Sequence, residues 1–218
     1  MNINLTKFKK INNLPKKGEK IVVAMSGGVD SSVTAAILNY AGYEVIGVSM
    51  KLYEASKVSS PKTCCSGLDI RDAREVSKKL GIKHFIVDYK SRFKQSVIDD
   101  FIESYNKGHT PIPCIKCNQT VKFKDMLDFT KSIGCSYLAT GHYVKRIEKN
   151  GIVNLYQAND KFKDQSYFLF ATTQKQLKTL RFPLGYFTKN EIRNLAKFFR
   201  LDVADKPDSQ DICFIPDG

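Results

Sequence analysis

No apolar run in this 218-residue sequence reaches the roughly 18 residues that a membrane span needs. The N-terminal stretch is polar and basic, with no apolar core of the kind a secretion signal carries. The expectation is a cytoplasmic protein. Acidic residues are in deficit: 22 Asp and Glu stand against 35 Lys and Arg, a formal net charge of +13. That excess suits a polyanionic partner. It suits equally a lysine-rich composition imposed by an AT-rich genome, and composition does not choose between the two. Internal repeats and low-complexity segments are absent. Two common nucleotide signatures are absent too: there is no Gly-Lys-Ser/Thr end to make a Walker loop, and no Gly-x-Gly-x-x-Gly spacing.

What is present begins at Ile21-Val22-Val23-Ala24-Met25. This short β-branched run reads as a buried strand. It breaks at Ser26-Gly27-Gly28 and resumes as a helix over Val29 to Tyr40, with Val29, Val33, Ala36, Ile37 and Tyr40 at helical spacing. Glycines let the backbone approach a ligand with no Cβ in the way. The N–H groups of the turn and of the first helical turn then converge, and the helix dipole adds positive potential. Ser26, Ser31 and Ser32 offer hydroxyls. The pattern points to a phosphate or pyrophosphate site rather than a plain strand–helix turn.

Further elements alternate along the chain. Strands are expected at Glu44–Ser49, His84–Asp88 and Tyr137–Ala139. Helices are expected at Leu68–Leu80, Arg92–Tyr105 and Asn118–Ile133. Met50–Gly67 is expected as a long polar loop and Gly108–Cys117 as a proline-rich turn. Tyr143–Gln157 reads as a hairpin turning at Asn150-Gly151. Leu169–Leu180 reads as mostly helical, and Thr188-Lys-Asn-Glu191 is a capping box that opens a helix to Phe199. Strand–helix alternation predicts an α/β fold, a parallel twisted sheet with helices on both faces, extended by the hairpin and a helical C-terminal part. Ligands in such sheets lie beyond the carboxyl ends of the strands. The glycine turn, the loop after Ser49 and Thr140-Gly141-His142 therefore converge by topology. Residues 1–18 form a basic lead-in and 19–218 the catalytic domain.

Six cysteines occur: Cys64, Cys65, Cys114, Cys117, Cys135 and Cys213. Without a secretion signal they read as catalytic, metal-binding or buried rather than as structural disulfides. Cys114 and Cys117 stand three apart at an expected helix start, where a thiol's pKa falls and a thiolate forms at Cys117, helped by Lys116. Three readings stay open: Cys117 is a reactive sulfur, the two are metal or cluster ligands, or both are buried small residues. A complete zinc site would want a second pair. Lys163 and Gln165 suit a phosphate and a base edge, while Asp164 suits a plain helix cap. His109 and His142 read as satisfied structural groups before they read as catalysts.

Five segments then carry a resemblance: Ala24-Met-Ser-Gly-Gly-Val-Asp-Ser31, Thr110-Pro-Ile-Pro-Cys-Ile-Lys-Cys-Asn118, Ala139-Thr-Gly-His-Tyr143, Lys163-Asp-Gln-Ser-Tyr-Phe-Leu169 and Lys206-Pro-Asp-Ser-Gln-Asp-Ile-Cys-Phe-Ile215. Their order resembles that of the tRNA-specific 2-thiouridylases, a family of the PP-loop ATP pyrophosphatases. The resemblance implies ATP, with Mg²⁺, on Ala24, Met25, Ser26, Gly27, Gly28, Val29, Asp30 and Ser31. The adenine side would lie near Met50 and Gly141, and Asp30 is a candidate to orient the Mg²⁺. ATP would adenylate O2 of uridine 34 in the anticodon. Cys213 would then carry a persulfide sulfur, delivered by a donor protein. Cys117 would be its nucleophilic partner, attacking directly or releasing sulfide by forming a disulfide bond with Cys213. Ile112, Pro113 and Cys114 match a segment that touches the target base. Lys163, Asp164 and Gln165 match one that contacts tRNA, of the Lys, Glu and Gln type. Where many members have Asp, this chain has Cys114. Cys114, Cys117 and Cys213 could thus cradle a [4Fe–4S] cluster. The family's central domain and C-terminal barrel do not follow in this sequence. The alternatives are another ATP-dependent PP-loop ligase or sulfurtransferase, and a truncated, non-catalytic tRNA-binding module.

Overall fold

The computed structural model describes residues 11, 14–53, 67–208 and 212–215. Most of the lead-in, Cys64 and Cys65 with most of their loop, and residues 209–211 lie outside the described residues. Five strands form one parallel sheet: β1 (Lys20–Ala24), β2 (Glu44–Lys51), β3 (Lys83–Asp88), β4 (Leu138–Ala139) and β7 (Leu180–Arg181), in the order β3-β2-β1-β4-β7. β5 (Val144–Lys149) and β6 (Ile152–Gln157) form the separate hairpin. Asn150 and Gly151 turn it with φ of 51° and 76°, both left-handed, as a two-residue hairpin turn requires.

The continuous apolar run of β1 is explained by its central place. Ile21, Val22 and Val23 are wholly buried because helices cover both faces. Ile21, Val23 and Met25 point into a core shared with α1 (Val29–Tyr40) and α8 (Lys189–Phe198), which pack on each other, and with α2 (Gly67–Leu80). Val22 points the other way, to a second core with Val48, Met50 and Leu138. Two helical stretches cover that face. The first runs α3 (Lys90–Phe93), a π-helical segment (Lys94–Ile98) and α4 (Asp99–Asn106). The second runs α5 (Pro113–Cys117), a π-helical segment (Asn118–Asp125) and α6 (Met126–Ser132).

From β1 the chain builds outward to β2 and β3, then returns to place β4 on the other side of β1. The reversal opens a crevice beyond the carboxyl ends of β1 and β4. Three expectations need correction. The second helical stretch starts at Pro113, not Asn118, because Pro113 takes the first helical position, where a missing N–H costs nothing. The Leu169–Leu180 stretch is α-helical over only half its length. A 3₁₀ turn (Ser166–Leu169) is followed only by α7 (Gln174–Thr179), which a capping box at Thr173 and Gln176 opens. Its end, Leu180, belongs to β7, a two-residue strand too short to show a period. Among the described residues, no helix is long and apolar enough to cross a membrane.

Candidate active site

Beyond β1 the chain turns through Met25, Ser26, Gly27 and Gly28 into α1. Gly27 has φ of 74°, and a Cβ there would lie 2.1 Å from the Asp69 carbonyl oxygen. Glycine alone lets the first turn of α2 press against the loop. The Met25 N–H donates to the Val48 carbonyl at 2.8 Å, and the Ser49 hydroxyl donates to the Met25 carbonyl at 2.7 Å. The Ser31 hydroxyl accepts from the Ser26 N–H at 3.2 Å and donates to the Gly28 carbonyl at 3.2 Å. The Ser32 hydroxyl donates to that carbonyl at 2.8 Å and is fully buried. Ser31 and Ser32 thus shape the loop more than they serve as ligand donors. No side chain caps α1 at Gly28, so its first-turn N–H groups keep the capacity to bind an anion.

Gly141 follows β4, and a Cβ on it would come within 2.9 Å of the Asp30 carbonyl carbon and the Ser31 nitrogen. Between these loops lies a cavity of 290 Å³. Of the residues expected to hold ATP, Ala24, Met25, Ser26, Gly28, Val29, Asp30, Ser31, Met50 and Gly141 line it. Gly27 instead shapes it from behind. Lys163 and Gln165 line it too, so an expected tRNA-contacting segment reaches the same space. Asp164 does not. Its carboxylate accepts from the Ala158 N–H at 2.8 Å and the Ser166 hydroxyl at 2.7 Å, so it ties the end of the hairpin to the next turn and does not act as the expected helix cap.

Lys122, Asp69, Lys206, Asp208, Thr140, His142 and Tyr143 also line the cavity. Lys206 Nζ reaches the Gly27 carbonyl at 3.1 Å, Asp69 at 2.7 Å and Asp72 at 2.6 Å. Burial pulls its pKa down, but hydrogen bonds to the two carboxylates outweigh that and hold it above the ordinary value. Asp208 accepts from Lys163 at 2.7 Å and Arg193 at 3.1 Å and lies 2.8 Å from Lys189 Nζ. Burial pushes its carboxyl up, yet Lys163 and Lys189 prevail and its pKa lies below the usual range. Lys189 also bonds both oxygens of Asp30 at 2.8 Å, and the Tyr143 hydroxyl donates to Asp30 at 2.7 Å. Burial first, then the Asp30 charge, drives the Tyr143 hydroxyl pKa far upward. Asp30, the candidate for Mg²⁺, is therefore occupied by an ammonium and a phenol.

His142 stands edge-on to Phe123 and Phe182, with Nδ1 2.6 Å from the Thr140 hydroxyl. Desolvation, then the charge of Lys122, lowers its pKa to about 3. The neutral ring is a wall of the cavity. His109 is exposed.

The cysteines lie elsewhere. Ile112 and Cys114 are exposed, Pro113 and Cys117 are buried, and none of them lines the cavity. Because α5 opens at Pro113, the helix end favours Cys114 and not Cys117, which ends α5 beyond the first turn. Lys116 is 2.9 Å from Asp100. Cys117 thus stands at the closing end of α5 and not at its opening. Cys213 and Phe214 pack against the core cluster that contains Cys117. Phe214 meets Phe93 and Phe101 edge-on at 5.8 and 5.4 Å. Among the described residues no three His, Cys, Asp or Glu side chains are grouped to hold a metal. Cys114, Cys117 and Cys213 do not fit a cluster in this arrangement. Cys135 is buried packing, as expected, and burial raises its thiol pKa.

Lys206 and Asp208 stand in a segment already singled out, and Tyr143 ends another. Lys189 gave no signal, since it reads as one more lysine after a capping residue.

A family model described as the tRNA methyl transferase HUP domain matches residues 19–217. The chain is 57% identical over 201 residues to the tRNA-specific 2-thiouridylase MnmA of Wolbachia sp. subsp. Drosophila simulans (strain wRi), covering 91% of this chain and 54% of that protein. It is 55% identical over 207 residues to the protein of that name from Rickettsia massiliae (strain Mtu5), covering 94% and 57%. The chain therefore spans a little over half the length of these relatives. Among solved structures it is similar to the U34-tRNA thiolase NcsA from Methanococcus maripaludis with its [4Fe-4S] cluster, at a TM-score of 0.60 and 18% identity, over 95% of this chain and 65% of that one. It is also similar to a 4-thiouridine synthetase–RNA complex with bound ATP, at 0.53 and 20%, over 89% and 44%. Likeness at this identity establishes the shared fold.

Proposed function

The chain belongs to the tRNA methyl transferase HUP domain family, and from that premise we propose that residues 19–218 are a catalytic domain for ATP-dependent 2-thiolation of uridine 34 in tRNA. The observation that carries this reading is where the described residues on either side of 209–211 lie, 206–208 and 212–215. At one end Lys206 holds the carbonyl of Gly27 in the glycine loop. At the other, Cys213 and Phe214 pack against the apolar core that also holds Cys117. One short segment thus ties a phosphate-binding turn to two thiols, which suits a reaction that activates a carbonyl and then delivers sulfur.

The loop from Met25 to Gly28 and the start of α1 receive the triphosphate of ATP, and Met50 and Gly141 bound its adenine side. Mg²⁺ would screen the triphosphate charge when bound. Asp30 is held by Lys189, so no protein carboxylate is assigned to that ion. O2 of the uridine attacks the α-phosphorus and pyrophosphate leaves. The terminal sulfur of a Cys213 persulfide attacks C2 and AMP leaves. Cys117 then attacks the Cys213 sulfur, the S–S electrons pass to the thiocarbonyl product, and a Cys117–Cys213 disulfide remains for an external thiol to reduce. In the direct alternative, that disulfide forms first and releases sulfide as the nucleophile. Ile112, Pro113 and Cys114 face the target base, and Lys163 and Gln165 the tRNA of the Lys, Glu and Gln class. A cytoplasmic persulfide-carrying protein supplies the sulfur. No step is routed through an iron–sulfur cluster, since the three cysteines do not assemble one.

The experiment is nucleoside mass spectrometry of unmodified tRNA incubated with the protein, ATP and a persulfide donor. Thiouridine at position 34 that requires ATP supports the proposal. Pyrophosphate release without tRNA, or with a small amide instead, would move the assignment to another ligase of this fold.

A further inference from the structure

Three aromatic rings stand exposed on the stretch of chain that also carries the cavity-lining Lys163 and Gln165. Phe162 is 100% exposed, Phe170 75% and Tyr167 57%. Single exposed apolar residues are ordinary; three on one short stretch beside a binding cavity are not. Their backbone is also fixed. The Phe162 N–H donates to the Asp160 carboxylate at 3.1 Å and the Lys163 N–H to the Asp160 carbonyl at 3.2 Å. Asp160 in turn accepts from the Lys189 N–H at 2.9 Å, at the start of α8. Tyr167 lies within the 3₁₀ turn Ser166–Leu169 and Phe170 directly follows it, with the Ser166 hydroxyl donating to Asp164. The chain therefore presents these rings from rigid turns, with Lys161 and Lys163 on either side of Phe162.

We propose that Phe162, Tyr167 and Phe170 form a stacking platform for unpaired bases of a single-stranded RNA loop, next to the cavity assigned above to ATP. Aromatic faces stack any unstacked base, Lys161 neutralises a neighbouring phosphate, and fixed turns lower the ordering cost. The basic excess of the chain suits that occupant better than an acid-poor protein segment. This inference rests on the tRNA reading above, and its test separates the two.

The chain contains no tryptophan, so Phe162→Trp and Phe170→Trp each introduce a single fluorescent reporter. The probes are an unmodified tRNA transcript and a blunt RNA duplex of similar length. Saturable quenching by the tRNA and not by the duplex is expected. The Phe162→Ala/Phe170→Ala double variant is expected to bind tRNA about tenfold more weakly per ring removed. Its melting temperature, its ATP binding and the salt slope of its tRNA binding should stay at wild-type values, since both rings are exposed and uncharged. Wild-type tRNA affinity in the double variant, or equal quenching by tRNA and duplex, overturns the platform and leaves the tRNA reading standing. A wild-type protein that binds no tRNA overturns both. Rings protected by a polypeptide that tRNA does not displace overturn the platform as well.

Discussion

The nucleotide half of this molecule is held by close backbone approach and charge, and the thiol half by apolar packing. Around the glycine loop, three lysines, an arginine and four aspartates interlock: Lys206 with Asp69 and Asp72, Lys189 with Asp30 and Asp208, and Lys163 and Arg193 with Asp208. The core that holds Cys117 also holds Phe93, Val97 and Val121, and Phe214 packs against it. A lattice of charges fixes a shape before ligand arrives. The apolar core gives the segment bearing Cys213 a face to seat on. That difference suits a pre-formed ATP site beside a sulfur carrier that must meet both a donor and a substrate.

The sharpest way to break the comparison is at the thiols. Cys117→Ala and Cys213→Ala should each reduce thiolation by about a thousandfold or more while ATP binding by calorimetry stays unchanged. Next comes Gly27→Ala, which forces a Cβ toward the Asp69 carbonyl at a left-handed φ. Strain and overpacking together should cost about 3 kcal/mol, visible as lost ATP affinity and a lower denaturant midpoint. Lys189→Met, which leaves Asp30 and Asp208 facing each other, should cost about 2 kcal/mol for a partly exposed pair. Chemical denaturation measures it.

The smallest effect is pH dependence. The folded protein holds His142 neutral down to about 3, whereas the unfolded chain takes up that proton near 6.5. The unfolded state binds more protons in this window, so stability falls as pH drops through it. Asp208, with its lowered pKa, adds stability above about 3.9 that is lost as pH falls below its folded value. His142→Gln should therefore flatten the stability curve between about pH 6.5 and 4 and leave the steeper acid limb. Equal slopes in both proteins would contradict the desolvated His142.

The nucleotide half was legible in the sequence because its chemistry is local. Strand, glycine turn and helix start are contiguous from Ile21 to Tyr40, and topology brought Gly141 to them. The thiol half was not. Whether Cys117 sits at a helix start depends on whether Pro113 opens the helix, and the proline-rich stretch reads equally as a turn. Lys189 and Lys206 find Asp30 and Gly27 only through tertiary packing, so no spacing rule exposes them. β7 has two residues and no period. Asp164 shows the converse: it neither lines the cavity nor caps the turn that follows, although its neighbours Lys163 and Gln165 reach the cavity.

The central claim is that activation and sulfur delivery are separable halves of one site. The direct measurement is rapid-quench detection of pyrophosphate released from ATP with unmodified tRNA, comparing wild type with the Cys117→Ala/Cys213→Ala protein. The account predicts that the cysteine-free protein still releases pyrophosphate in a single tRNA-dependent turnover and incorporates no sulfur. Loss of that turnover together with the thiols, or thiolated tRNA made without them, would contradict it.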